Sequence, residues 1–266
     1  MLNNDEINIL FIGDIIGKPG RLAVKSLISS LIDKYNPEFI IANGENAAHG
    51  MGITPAIADF ILNLGIDVIT TGNHIWDQKS IIPYISAQLR LLRPANYSSA
   101  APGRGYGVYE SKLNSKIAVI NLEGRVFMKA LSDSPFPAAK NIIKEVSEKS
   151  DAIIIDFHAE ATSEKEALAL YLDGEVSAFL GTHTHVQTND DVIMPKGTAY
   201  ITDVGMVGSK YSVLGTKKDI AINRYLTGVP ERFVPEENDI ALNAVAVTID
   251  KKTKLSKNIE KIRINL

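Results

Sequence analysis

The chain has 266 residues, 45% hydrophobic and 22% charged, and its 28 basic against 31 acidic residues leave a formal charge of −3. These are ordinary globular values that can bury a sizeable core; they exclude collagen-like and disordered classes and argue against a broad duplex-binding face. Cysteine is absent, which excludes disulfide scaffolds, thiolate catalysis, iron–sulfur clusters and Cys-based zinc sites, so any metal must be held by His, Asn and carboxylates.

The opening segment, Met1 to Glu6, is polar and acidic with no leader pattern. No run reaches the roughly 18 apolar residues of a membrane span, so a soluble cytoplasmic protein is expected. Ile7 to Ile12 reads as a buried strand, and Pro19 to Tyr35 as a helix with proline at its start and apolar residues at Leu22, Leu27, Ile28 and Leu31. Phe39–Ala42 and Asp67–Thr71 read as strands around a helix at Pro55–Leu64. Tyr106–Leu122 reads as two antiparallel strands about a turn at Asn114 and Ser115. Helices at Pro137–Lys149 and Ser163–Leu172 alternate with strands at Ala152–Phe157 and Val176–Leu180, and further strands are expected at Ala199–Asp203, Ala241–Ile249 and Ile259–Ile264. The alternation predicts an α/β layered fold: a parallel sheet, with the Tyr106–Leu122 pair and the C-terminal strands in a second, mostly antiparallel sheet packed on it. Met206–Asn238, rich in Gly, Lys and Pro, reads as a surface excursion or a lid. With no repeat, linker or low-complexity tract, residues 1–266 read as one domain.

Polar residues able to bind metal recur just after the apolar strands. They are Asp14, then Glu45 and Asn46, then Asn73 and His74, then His158, then His183 and His185. Ligand sites of open α/β sheets form outside the carboxyl ends of strands, so five strand ends can deliver two carboxylates, two amides and four imidazoles to one place. Four of the five histidines lie at these ends; the fifth, His49, is three residues past Asn46. Any one of these residues alone would read as a helix cap or a structural histidine; the joint pattern does not. Two divalent ions roughly 3.5–4 Å apart clamp a phosphoryl group and lower the pKa of a water. A carboxylate is the natural bridge between them. Imidazole and oxygen donors without sulfur suit Fe or Mn, with Zn also acceptable.

Gly13 to Gly20 fails as a phosphate-binding P-loop, because Lys18 is followed by Pro19 and the glycine spacing is too short. Lys18 and Arg21 either approach a substrate phosphate at the helix start or are simply solvated there. Gly103, Gly105 and Gly107 read as a turn. Trp76 reads as packing under the site, and Asp77 either orients a neighbouring side chain or caps a helix.

The runs GDIIGKPGR (13–21), ANGENAAHGMGI (42–53), TTGNHIWD (70–77) and GTHTHVQT (181–188), with the isolated His158, resemble the calcineurin-like metallophosphoesterases and, more closely, their bacterial YmdB-type branch. That resemblance implies a two-sheet sandwich flanked by helices and a dinuclear-metal phosphodiesterase acting on cyclic nucleotides, including 2′,3′-cyclic ones. It implies that Asp14, Glu45, Asn46 and His185 hold one metal, and that Glu45, Asn73, His158 and His183 hold the other, with Glu45 bridging. His74 would then protonate the leaving oxygen. The wider superfamily has Asp-x-His where Ile16 stands here, and an Asp where Glu45 stands; the YmdB-type branch shares both departures. The expected partner is a small nucleotide phosphodiester, with RNA ends as a further class and a homo-oligomer as the assembly. A nucleotidase or phosphomonoesterase of the same fold, and a nucleotide-sensing regulatory protein with incidental turnover, are the rival functions. Base recognition falls to the loops at Tyr97–Tyr106 and Met206–Asn238.

Overall fold

The computed structural model describes residues 5–266; the first residues of the polar opening segment, 1–4, lie outside the described part. In chain order the elements are β1 (Glu6–Ile12), β2 (Asp14–Ile15), α1 (Gly17–Tyr35), β3 (Phe39–Asn43), α2 (Pro55–Leu62), β4 (Val68–Thr70), α3 (Ile81–Ile85), β5 (Tyr106–Glu110) and β6 (Lys116–Glu123). They continue as α4 (Pro135–Val146), β7 (Ala152–His158), α5 (Thr162–Leu172), β8 (Ala178–Thr182), β9 (Val192–Ile193), β10 (Ala199–Ile201), β11 (Met206–Ser209), α6 (Lys218–Thr227), β12 (Ile240–Asp250) and β13 (Ser256–Asn265).

Two mixed sheets form. The first has the order β2-β11-β12-β1-β3-β4 with β13 on β12, and the second the order β5-β6-β7-β8-β10-β9. Side-chain alternation along the strands builds the layers. In β1, Ile7, Ile9 and Phe11 face the other sheet and meet Ile154 and Leu180, whereas Leu10 and Ile12 face α1 and α2. In β7, Ile154 points between the sheets, while Ile153, Ile155 and Phe157 pack under α4 and α5. Because both faces are covered, these strands read as unbroken apolar runs. The result is the expected sandwich of two sheets between helices.

The allocation of strands differs from the sequence expectation. β12 and β13 lie on the first sheet, β12 antiparallel to β1 and β13 antiparallel to β12, and the second sheet has a parallel core of β6, β7, β8 and β10. Only its edges are antiparallel: the β5–β6 hairpin, which turns through Asn114 at φ 62°, and β9. Met206–Asn238 is not wholly an excursion. It opens with the buried strand β11, which pairs with β2 and β12, and continues into α6, closed by Gly228 at φ 71°. Among the described residues no helix is long and apolar enough to cross a membrane.

Candidate active site

The parallel strands of both sheets end on one edge, and the polar residues that follow them meet there. Asp14 opens β2, Glu45 and Asn46 follow β3, and Asn73 and His74 follow β4, all from the first sheet; His158 ends β7, and His183 and His185 follow β8, from the second. Asp14, Glu45 and His158 are fully buried. Close approach demands glycine just before these residues. A Cβ on Gly72 would collide with the Glu45 carboxylate and the His158 ring, and one on Gly181 with the Thr202 carbonyl. His183 (φ 100°) and His185 (φ 67°) take left-handed backbone conformations. Such strain persists where surrounding structure imposes it, and it concentrates at functional sites.

Each imidazole is oriented by its outer nitrogen. His158 Nδ1 donates to Thr182 Oγ1 (2.9 Å), and Thr182 donates onward to Asp156 Oδ1 (2.7 Å). His183 Nε2 donates to Glu160 Oε2 (3.1 Å), and His185 Nδ1 donates to the Leu214 carbonyl (2.9 Å). These bonds fix the tautomers so that His158 Nε2, His183 Nδ1 and His185 Nε2 turn lone pairs inward. His158 Nε2 lies 2.7 Å from Glu45 Oε2, 2.9 Å from His183 Nδ1 and 3.2 Å from Asn73 Oδ1. Around His158 Nε2, acceptor faces acceptor. Asp14 Oδ2 accepts from the His183 amide (3.2 Å), and His185 Nε2 stands 3.1 Å from the Asn46 amide.

The charge balance points the same way. Asp14, Glu45, Asp156 and Asp203 are buried together, with Lys165 as a buried cation bonded to Asp203 (2.9 Å) and the Thr182 carbonyl (2.8 Å). Burial and the neighbouring acids raise the Asp14 carboxyl well above its usual range, and burial pushes Glu45 up to about 7. Burial holds His158 well below its usual value, takes His183 down to about 2 with help from His158, and lowers His185. The imidazoles are therefore neutral and available as ligands. Asp14 Oδ1 and both Glu45 carboxylate oxygens have no hydrogen-bond partner among the described residues. Glu45, His158 and His183 place donor atoms within 4.8 Å of one another. Orphaned buried oxygens among inward lone pairs are a polar site that a cation satisfies and little else does.

His74 stands beside this cage. Its Nδ1 is 2.7 Å from Asp77 Oδ2 and its Nε2 3.9 Å from Glu45 Oε1, so Asp77 orients this side chain. His49 is exposed. The Gly17 amide at the start of α1 donates to the Asn46 carbonyl (2.9 Å) and Arg21 donates to the Ala47 carbonyl, so that helix start braces the loop that carries Glu45 and Asn46. Sequence reading missed Asp156, Glu160, Lys165 and Asp203. Of these, Asp156 had left a signal, as the one acid inside the apolar run of β7.

A cavity of about 580 Å³ opens over the cage, lined by Glu45, Asn46, His74, His183 and His185 and, from the α6 segment, by Arg224, Arg232 and Phe233. The 206–238 region thus covers the site. Residues 10–262 match the model of a family described as YmdB-like protein. The chain is 49% identical over 259 residues, 97% of each chain, to a Bacillus subtilis protein named 2′,3′-cyclic-nucleotide 2′-phosphodiesterase. It superimposes on the crystal structure of a phosphatase from Mycoplasma pneumoniae with TM-score 0.92 at 37% identity, covering 100% of this chain and 95% of that one. A hypothetical protein of Thermus thermophilus gives TM-score 0.90 at 37% identity, covering 97% and 99%.

Proposed function

The chain belongs to the YmdB-like family, and from that premise we propose that it opens 2′,3′-cyclic nucleotides at the 2′ bond, with residues 1–266 acting as one catalytic domain. It is a hydrolase of phosphoric ester bonds, and its family implies divalent metal ions. The observation that carries the reading is the cage of inward lone pairs: Glu45 Oε2, His158 Nε2, His183 Nδ1 and Asn73 Oδ1 converge with no N–H or hydroxyl donor between them.

Those four residues would hold one ion, and Asp14, Glu45, Asn46 and His185 the other, with Glu45 shared between the two sets. Donors of nitrogen and oxygen without sulfur favour Fe or Mn, and accept Zn. When bound, such ions neutralise charge on the phosphoryl oxygens and make water a better nucleophile at neutral pH. The protein's own part is positional. The outer hydrogen bonds to Thr182, Glu160 and Leu214 hold the imidazoles in place, and the buried cage excludes bulk water. Water adds to phosphorus and releases a proton to solvent, the P–O2′ bond breaks, and His74 Nε2, oriented by Asp77, gives its proton to the departing ribose O2′ and is reprotonated from solvent. The product is a nucleoside 3′-monophosphate.

The test is product analysis on 2′,3′-cyclic AMP with protein loaded with Mn²⁺ or Fe²⁺, alongside elemental analysis. Adenosine 3′-monophosphate and about two ions per chain are expected. Release of free phosphate from monoesters alone would replace this reading with a phosphomonoesterase.

A further inference from the structure

A second cavity, of about 570 Å³, lies on the other side of His74 and is lined by His74, Trp76, Tyr97, Ala101, Lys129 and Leu131 among others. Its size falls within the roughly 300–1,000 Å³ of small-molecule sites. His74 and Lys129 line both this cavity and the one over the cage, so they form the wall between the two. Resting on the reading of His74 as the general acid, the geometry points to this cavity as the nucleoside subsite, with Trp76 as the platform on which the base stacks.

A general acid must touch the leaving oxygen. In a 2′,3′-cyclic nucleotide cleaved at the 2′ bond that oxygen sits on the ribose carbon next to the glycosidic carbon. With phosphorus over the cage, the ribose therefore lies against His74 and the base projects beyond it, into the second cavity. The wall residues suit a base. Trp76 is half-buried, packed against the core below, and contributes to the cavity above. Tyr97 is buried and its hydroxyl is taken by the Glu123 carboxylate, so it has its ring rather than its hydroxyl to offer. Lys129, at the junction, supplies a positive charge beside the phosphate position. An aromatic platform grips every base by its π-face, so the subsite favours nucleosides over base-free phosphodiesters without selecting one base strongly.

Trp76 is the chain's one tryptophan, so the tryptophan fluorescence of the protein arises at the wall of this cavity. Full-length protein, metal-loaded and metal-depleted, is titrated with adenosine 3′-monophosphate and with ribose 5-phosphate. Saturable quenching by the nucleotide, with a response at least about tenfold weaker for the sugar phosphate, is expected. Equal responses, or none, would overturn the subsite. In turnover, Trp76→Ala should raise KM for 2′,3′-cyclic AMP by about ten- to a hundred-fold, the range that stacking supplies, and Trp76→Phe should recover most of that loss. Hydrolysis of the base-free methyl riboside 2,3-cyclic phosphate should stay within about threefold for both variants; equal loss on both substrates would mean that Trp76 only supports the fold. If cyclic nucleotides are not cleaved at all, the proposed reaction fails, while the fluorescence titration still decides the subsite.

Discussion

His74 and Asn73 are neighbours in sequence, yet only Asn73 joins the cage: its Oδ1 is 3.2 Å from His158 Nε2, whereas His74 turns Nδ1 to Asp77. His74→Ala should therefore keep close to full metal content and lose roughly 10²–10⁴-fold in turnover, less for esters with good leaving groups such as nitrophenolate. His158→Ala should lose metal and activity together. Metal loss at His74→Ala as severe as at His158→Ala, read by elemental analysis, would make His74 a ligand. Glu123 offers a test that needs no substrate. Burial pushes its carboxyl up to about 7 from an ordinary value near 4.5, and the Tyr97 hydrogen bond offsets part of that. Between those two values the folded chain holds more proton than the unfolded one, so stability falls as pH rises through the window and stays lower above it. The effect is bounded at roughly 3 kcal/mol by the size of the shift. Glu123→Gln should consequently lose less melting temperature between pH 5 and pH 8 than the parent does; parallel profiles would contradict the assignment.

At the scale of elements, the sequence made the strand ends legible because each couples an apolar run to a glycine and then a candidate ligand: Gly13-Asp14, Gly44-Glu45, Gly72-Asn73, Gly181-Thr182-His183. Alternation showed which face each side chain takes but not which strand lies next door. That is why β12 and β13 were expected in the wrong sheet: an antiparallel strand has the same period beside β1 as beside β6. α6 was invisible because it is barely tethered, with Tyr225 84% and Leu226 80% exposed, so it carries no buried stripe to read. The supports of the site were hidden for a different reason. Lys165 on α5 and Asp203 after β10 are 38 residues apart and meet only in the folded chain, where Asp203 also accepts from the Thr184 amide (2.9 Å) and so braces the His183–His185 loop. Truncating one partner of a fully buried pair leaves the other charge uncompensated, at a cost of about 3–5 kcal/mol. Lys165→Met should show that loss in chemical denaturation. A loss under about 1 kcal/mol would mean that the pair behaves as a solvated one.

For the molecule as a whole, the site lies across the seam of the sandwich. The first sheet contributes Asp14, Glu45, Asn46 and Asn73, and the second His158, His183 and His185. Between the sheets the contact is apolar, with Phe11, Ile41 and Val245 against Val119, Ile154 and Leu180. It is non-directional, and it does not by itself fix the registration of the two strand edges. The proposed ions would do so, since Glu45 from one sheet and His158 from the other would share a ligand sphere. Binding that requires the native arrangement stabilises it by mass action, about 2.7 kcal/mol at a hundredfold excess over the dissociation constant. At roughly 2–4 °C per kcal/mol for a chain of this size, Mn²⁺ should raise the melting temperature of chelator-treated protein by about 5–10 °C. Glu45→Ala, which removes the ligand proposed to be common to both ions, should abolish the rise, whereas Asn46→Ala should keep part of it. If Mn²⁺ leaves the melting temperature of the parent unchanged while still binding, the ions do not join the sheets, and the apolar seam with the Lys165–Asp203 pair holds the site in register without them.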